Sequence, residues 1–403
     1  MNVLVVNCGS SSIKFQMYEM PDQRVLAKGQ AQRIGENASV LDCQVGERTA
    51  HLEQPIADHK AGMNLILETL KTQMSEEGQG EAISIAAVGH RVVHGGEAFT
   101  GSVLINDDVE ETIQQCADLA PLHNPANLTG IRAARRALPD VPHIACFDTA
   151  FHASIPKFAY LYALPYEMYE RLGIRRYGFH GTSHRYVAKH TALHLGKPRY
   201  ETNCITCHLG NGCSMAAVRS GECADTSMGL TPLEGLVMGT RTGDFDPAIL
   251  FHLAEHGYGV GELNKICNKQ SGLLGISGIS NDMRTLTEQA AAGVERAQLA
   301  IDIFSYRIKK YIGMYLAVLG NVDAISFTGG IGENSPLVRA KACAGMEALG
   351  IDIDPERNEN INGQEGNISR AGSRVQVLVI PTDEEGVIAT DTHSLVTQGA
   401  NVD

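Results

Sequence analysis

The chain contains no run of about 18 apolar residues, the length that a membrane-spanning helix needs, so spanning is not expected. No charged segment followed by a short apolar stretch opens it, so export is not expected either. Basic residues are scarce: 33 Lys and Arg stand against 46 Asp and Glu, for a formal charge of −13. That balance repels phosphate backbones and anionic lipid, which argues against nucleic-acid or membrane partners. Ten cysteines scattered over 403 residues lack the density of a disulfide scaffold and read as reduced thiols of a cytoplasmic protein. Cys204 and Cys207 form a C-x-x-C, but no second pair completes a zinc site. They fall in an expected strand, where positions three apart face opposite sides, so their role is read as structural. No G-x-x-x-x-G-K-[ST] occurs, which excludes a P-loop enzyme. The run Gly257-Tyr-Gly259-Val-Gly261 follows a helical stretch rather than a strand and is not a dinucleotide fingerprint.

What the chain does have is a recurring design, an apolar strand that ends in a polar turn. The first instance is Val3-Leu4-Val5-Val6 running into Asn7-Cys8-Gly9-Ser10-Ser11-Ser12-Ile13-Lys14-Phe15. Glycine allows a tight turn, small hydroxyl residues leave backbone N–H groups uncovered for an anion, and Lys14 adds a point charge. An ordinary hairpin with a serine-rich turn satisfies the same residues. Ile13, Phe15 and Met17 alternate with Lys14, Gln16 and Tyr18, so the chain leaves as a second strand. The design returns at residues 203–219, where a strand enters His208-Leu209-Gly210-Asn211-Gly212-Cys213-Ser214, and two such units suggest an internal duplication. The length fits about two or three domains.

Between these landmarks, short alternating segments continue to residue 52, and Met63, Ile66, Leu67, Leu70 and Met74 repeat at helical spacing. A buried strand is expected at residues 83–88, leading into the loop His90-Arg91-Val92-Val93-His94-Gly95-Gly96. Asp108 with Glu111 reads as a capping box. Pro121-Leu122-His123-Asn124-Pro125 is a loop before a helix, because each proline disfavours helix at the residue before it. A strand at residues 143–147 ends at Asp148. Thr182 or Ser183 is the expected cap of a helix running to residue 195. Residues 226–246 are rich in Gly, Thr and Pro. A long helix is marked by Ile301, Phe304, Ile308, Tyr311, Ile312, Tyr315 and Leu319. It feeds a strand and a third glycine turn at residues 328–334. Residues 354–373 read as a polar surface excursion, before a last strand at 375–380 and a closing helix.

Six strands therefore end in polar, glycine-bearing or charged loops, and in open α/β sheets ligands sit beyond such strand ends. Together the stretches Asn7-Cys-Gly-Ser-Ser-Ser-Ile-Lys14, His90-Arg-Val-Val-His-Gly-Gly96, Pro121-Leu-His-Asn-Pro125, Phe147-Asp-Thr-Ala-Phe-His152, Arg175-Arg-Tyr-Gly-Phe-His-Gly-Thr-Ser-His184, His208-Leu-Gly-Asn-Gly212, residues 225–244, Phe327-Thr-Gly-Gly-Ile-Gly-Glu-Asn334 and residues 381–385 resemble the acetate and propionate kinase family of the actin/hexokinase/Hsp70-like superfamily. The resemblance covers essentially the whole chain. Three departures stand out: Asp383 for the family's usual Asn, beside a candidate metal ligand; Thr242 for a usual Ser; and Cys213 for a usual Gly.

The resemblance implies an α/β fold of two duplicated actin/hexokinase-like (RNase H-like βββαβαβα) domains with an interdomain active-site cleft. Residues 1–149 plus 385–403 would form the N-terminal domain, and residues 150–384 the nucleotide-binding, dimer-forming C-terminal domain. The implied reaction is reversible transfer of the ATP γ-phosphoryl group to acetate, or to propionate in the nearest alternative. Arg91 and Arg241 would bind the substrate carboxylate and the moving phosphoryl group, as planar forks suited to oxygen pairs. His180 would stabilise the transition state. Asp148 would orient the acid or hold Arg91; a base is less needed, since carboxylates are ionised at neutral pH. Asn7 and Glu384 would bind Mg2+ (or Mn2+) through hard oxygens. Ser12, Lys14, His208, Leu209, Gly210, Asn211 and Gly212 would hold the ATP phosphates. Asp282, Met283, Arg284, Ile331, Gly332, Glu333, Asn334 and Ser335 would hold its adenosine. Val93, Leu122, Phe179 and Pro232 would surround the acid's alkyl end. Two rival functions are a non-catalytic nucleotide switch, which would not need two arginines and a histidine for a second substrate, and a sugar phosphotransferase, which would want hydroxyl-binding Asn, Asp and Glu instead.

Overall fold

The structure, a computed structural model, describes residues 1–75, 84–121 and 123–399. The chain divides into two units, Met1–Ala150 with Asp383–Asp403, and Phe151–Thr382.

The first unit is built on β1 (Asn2–Gly9), β2 (Ser12–Glu19), β3 (Arg24–Gln32), β4 (Val40–Val45), β5 (Arg48–Glu53), β6 (Ala87–Val92), β7 (Val103–Leu104) and β8 (His143–Phe147). They form one sheet in the order β5-β4-β3-β2-β1-β6-β8-β7. The first five run as an antiparallel meander, whereas β6 lies parallel to both β1 and β8. β1 is apolar at successive positions because both its faces are covered. Leu4 and Val6 pack with Ile13, Phe15, Met63, Ile66 and Leu70 on one side. Val3 and Val5 pack with Ile144, Ile388 and Ala389 on the other. Ile388 belongs to the helix Glu384–Gln398, which lies against β6 at Gly89. A Cβ at Gly89 would stand 2.4 Å from the Thr392 hydroxyl and 2.7 Å from Ile388, so only glycine admits the helix at this distance.

The second unit carries β9 (Cys204–Leu209), β10 (Cys213–Arg219), β11 (Glu222–Thr226), β12 (Ala324–Thr328), β13 (Gly366–Asn367) and β14 (Gln376–Val379), in the order β11-β10-β9-β12-β14-β13. Here β9 to β11 are antiparallel, and β12 is parallel to β9 and β14. The order β3-β2-β1-β6-β8 of the first sheet recurs as β11-β10-β9-β12-β14, with the same strand senses. Two copies of one α/β sheet thus stand behind the repeated strand-and-turn design. The long helix Glu295–Leu319 buries Ile301, Phe304, Ile308, Tyr311, Ile312, Tyr315 and Leu319, the residues expected from its periodicity.

Several local expectations are corrected. The strand expected at residues 83–88 lies at Ala87–Val92, so His90 and Arg91 sit on β6 and not in a loop; residue 83 is outside the described residues. His90 is buried there and its Nε2 meets Nδ1 of His143 at 3.0 Å, which explains a histidine inside an apolar sheet. The helix Asp107–Gln115 is capped by Asn106, which accepts from the Val109 N–H, and not by Asp108. Neither Thr182 nor Ser183 caps the helix Gly181–His194; His180 stands at its N-cap in a left-handed conformation, φ 57°. The third glycine turn is the helix Gly329–Asn334, entered straight from β12. Residues 354–373 contain the helix Pro355–Asn360, β13 and the buried residues Asn358 and Ile368, because Asn358 is recruited as an acceptor by a buried arginine. Asp383 opens the C-terminal part of the first unit: it caps the helix Glu384–Gln398 through the Gly386 N–H and accepts from the Tyr18 hydroxyl.

Candidate functional site

In the first unit, β1 and β2 are joined by the two-residue turn Ser10-Ser11, so the local structure is the hairpin. Asn7 pairs with Lys14 across it, and Gly9 with Ser12. The turn is braced from beneath: His59 Nε2 donates to the Gly9 carbonyl at 2.7 Å and Asn127 Nδ2 to that of Cys8 at 2.8 Å. Lys14 is exposed and borders a cavity of about 600 Å³ that Glu385 also lines.

Arg91, on β6, is held by Asp148 at the end of β8. Nε donates to Oδ1 at 3.0 Å and Nη2 to Oδ2 at 2.7 Å. Asp148 is 1% exposed and the Arg91 side chain 25%. The carboxylate therefore spends both oxygens on the fork, and Nη1 keeps no partner among the described residues. Asp148 raises the hold of Arg91 on its proton, so the guanidinium stays charged. Glu384 lies in the same field. Burial pushes its carboxyl above the usual range, Arg91 pulls it back, and Asp148 and Asp383 push it up again. Glu385 is raised by burial as well. Carboxylate and amide oxygens such as those of Glu384 and Asn7 are the hard donors that Mg2+ accepts, but among the described residues no three His, Cys, Asp or Glu side chains cluster closely enough to hold a metal by themselves. Val93 is fixed just beyond β6, its N–H donating to Asn127 Oδ1 at 3.1 Å. Leu122 lies outside the described residues.

In the second unit, His180 and His208 stack with ring centroids 4.3 Å apart. His180 Nδ1 meets Ser214 Oγ at 2.8 Å, and His208 Nδ1 meets Ser183 Oγ at 2.8 Å. Gly212 makes room beside them. A Cβ there would lie 3.6 Å from His180 Nε2 and 3.5 Å from Arg241 Nη1, so both groups border the same point. Arg241 Nη1 donates to the Pro232 carbonyl at 3.2 Å, and no carboxylate pairs with Arg241 among the described residues. Burial lowers its affinity for the proton from the ordinary arginine value. The irregular loop that carries it is anchored by Arg176, which donates to the carbonyls of Thr226, Ser227 and Met228 and to Glu234.

A cavity of about 690 Å³ is lined by Gly210, Asn211, Asp282, Met283, Arg284, Ile331, Asn334 and Ser335, which brings together most of the expected adenosine side. Gly332 and Glu333 do not line it. Glu333 instead accepts from the Gly329 N–H at 2.8 Å and fixes the start of that helix. Leu209 and Phe179 are buried. Cys213 donates from Sγ to the Gly210 carbonyl at 3.1 Å, and burial pushes the thiol up to about 12, so it remains a neutral donor in the turn. Thr242 departs without such benefit: its hydroxyl is buried with no partner among the described residues.

Some supporting residues were not anticipated from the sequence. Asn124 and Asn127 accept from the N–H groups of His94 and Val93, and His184 and Ser214 bond to each other behind His180. All four lie within or a few residues beyond the quoted motifs, which was the available signal.

Comparison with known proteins agrees along the whole length. The sequence model of the Acetokinase family matches residues 2–390. An acetate kinase of Thermotoga maritima is 54% identical over 402 residues, covering 98% of this chain and 99% of the relative. One of Clostridium kluyveri is 52% identical over 399 residues, covering 98% of each. The crystal structure of Porphyromonas gingivalis acetate kinase superposes with a TM-score of 0.93 at 45% identity, covering 98% of this chain and 100% of that one. A propionate kinase from Francisella tularensis superposes at 0.91 with 42% identity, covering 98% and 99%. With its two copies of one α/β sheet, and with sequence and backbone alike over nearly every residue, the chain belongs to the acetokinase family.

Proposed function

We propose that this kinase transfers the γ-phosphoryl group of ATP to acetate, reversibly and in line, giving acetyl phosphate and ADP. The observation that carries the reading is Arg241, a charged fork without a carboxylate partner, bordering the same point as His180 beside Gly212. Phosphoryl transfer through a loose transition state asks chiefly for positioning and for neutralisation of the equatorial oxygens. Arg241 and His180 supply donors for those oxygens, and the turn at residues 208–212 holds the phosphates; Ser12 and Lys14 are the first unit's proposed phosphate ligands. The 690 Å³ cavity takes the adenosine. Arg91 binds the acid's carboxylate through the edge that Asp148 leaves open; Asp148 is the residue that aims Arg91, since both its oxygens are engaged. Asn7 and Glu384 would hold Mg2+, which when bound neutralises phosphate charge. The working form is proposed to be a cytoplasmic homodimer joined through the second unit, where Phe158, Phe251 and Val260 stand 88%, 71% and 85% exposed.

The test is ATP-dependent acyl hydroxamate formation over a panel of short acids; no product with any acid would sink the kinase reading. The likeness to a propionate kinase keeps propionate as the second reading. Val93 is buried and its backbone is pinned, so its methyls cannot easily withdraw. Acetate is expected to be preferred, by no more than about ten- to two-hundredfold in kcat/KM, because one methylene is worth about 1–3 kcal/mol. Val93→Ala is expected to narrow or invert the ratio. A wild-type ratio favouring propionate would overturn the acetate assignment, and an unchanged ratio in the variant would remove Val93 from the pocket.

A further inference from the structure

Behind His180 runs a chain of hydrogen bonds with no exit to solvent. His180 Nδ1 meets Ser214 Oγ at 2.8 Å, Ser214 Oγ meets His184 Nε2 at 2.7 Å, and His184 Nδ1 meets Thr206 Oγ1 at 2.7 Å. Thr206, His184 and Ser214 are each 0% exposed. Distances alone do not say which atom of each pair carries the proton, but the supply of protons does. Thr206 closes the chain, and among the described residues its hydroxyl bonds only to His184. If Thr206 donates, His184 Nδ1 accepts, His184 Nε2–H donates to Ser214, and the Ser214 hydroxyl donates to His180 Nδ1. Every proton is then used, and the proton of the His180 ring sits on Nε2. Running the chain the other way buries the Thr206 hydroxyl proton without an acceptor, which costs its full desolvation.

We propose that Thr206, His184 and Ser214 are positioning residues that fix the neutral, Nε2-protonated tautomer of His180. The ring then presents an N–H, and not a lone pair, at the point bordered by Arg241 Nη1. On the phosphoryl-transfer reading, on which this inference rests, the neutral ring adds a donor without repelling that guanidinium. The other titratable groups around the chain fit the same state. His208 stacks on His180, and the His152 and His208 rings lie 5.7 and 6.4 Å from that of His184. Burial, and then those two neighbours, hold His184 well below the usual histidine range, so the relay carries hydrogen bonds and not charge.

The test is nitrogen NMR of the histidine-labelled enzyme, with the His180 signals assigned by their loss in His180→Gln. In the wild type at neutral pH, Nδ1 is expected to be unprotonated and Nε2 protonated; the opposite pattern, or a doubly protonated ring, overturns the proposal. Thr206→Val removes the donor that sets the direction. It is expected to mix the two tautomers and lower kcat about tenfold, less than outright loss of a donor, with KM for ATP and acid little changed. Thr206→Ser keeps the hydroxyl and is expected to restore both. If Thr206→Val leaves the spectrum and kcat as they were, the relay is refuted although the enzyme works. If the wild type forms no acyl phosphate with any acid, the functional reading fails instead, and the tautomer is still read from the spectrum.

Discussion

Arg241→Ala is expected to lower the rate of acyl phosphate formation at least about a hundredfold, because losing one fixed donor at a site of developing charge costs about 3–4 kcal/mol of transition-state stabilisation. The fold should survive. The guanidinium is bound within its unit only through the Pro232 carbonyl and the Met238 sulfur, so its removal strands no buried charge. Arg91→Ala is expected to lose as much activity but to behave differently in stability. It leaves the Asp148 carboxylate, 1% exposed, without its partner, a loss of about 3–5 kcal/mol for a broken buried pair. The double variant Arg91→Ala/Asp148→Ala should recover part of that stability and none of the activity. Near-normal turnover in both folded single variants, with folding checked by circular dichroism, would show that the site is misplaced. Equal melting temperatures for the two would remove the buried-pair argument.

Arg339→Ala is expected to destabilise the protein by at least about 3 kcal/mol, through acceptors left unsatisfied in the interior and the cavity left by a large side chain. Arg339 is 0% exposed, and among the described residues no carboxylate forms an ion pair with it. Nε donates to the Asn358 side chain, and Nη1 and Nη2 donate to the carbonyls of Gly332, Glu333, Asn358 and Ile361. Burial pushes it down to about 10, so it is still protonated at neutral pH. These bonds tie the helix Gly329–Asn334 to residues 358–361, behind the wall of the 690 Å³ cavity. Denaturant titration should show the loss, and Arg339→Lys should recover little, since one ammonium cannot reach five acceptors in a planar array. A change below about 1 kcal/mol in Arg339→Ala would mean that water replaces the side chain.

The sequence was most legible where chemistry depends on a short run of chain. The strand at residues 143–147 is bounded as expected, and the long helix buries the residues that its periodicity marks; both are local patterns. It was least legible where a residue's neighbour is distant. That His90 belongs inside β6 depends on His143 taking its hydrogen bond, 53 positions away. That residues 354–373 are partly interior depends on Arg339, whose need for acceptors no periodicity reveals. The cap of the helix Gly181–His194 is hidden from the sequence for a different reason. Thr182 and Ser183 are sound capping residues, but they are buried inside the helix, and Ser183 is engaged by His208. The turn was given to His180, whose left-handed backbone is uncommon for a residue with a side chain. Such conformations gather at functional sites.

The helix Glu384–Gln398 belongs to the first unit although it is made after the second. Its Ile388 and Ala389 cover Val3 and Val5, and its Asp391 accepts from the Ser102 hydroxyl, 289 positions earlier. On a ribosome, residues 1–150 therefore emerge without the helix that covers Val3 and Val5. They must wait while the entire second unit is translated, which at about 5–20 residues per second takes tens of seconds. The second unit is contiguous and has its whole sequence in hand before that helix appears. Vectorial synthesis thus lets the second unit complete its sequence before the first unit has all of its own.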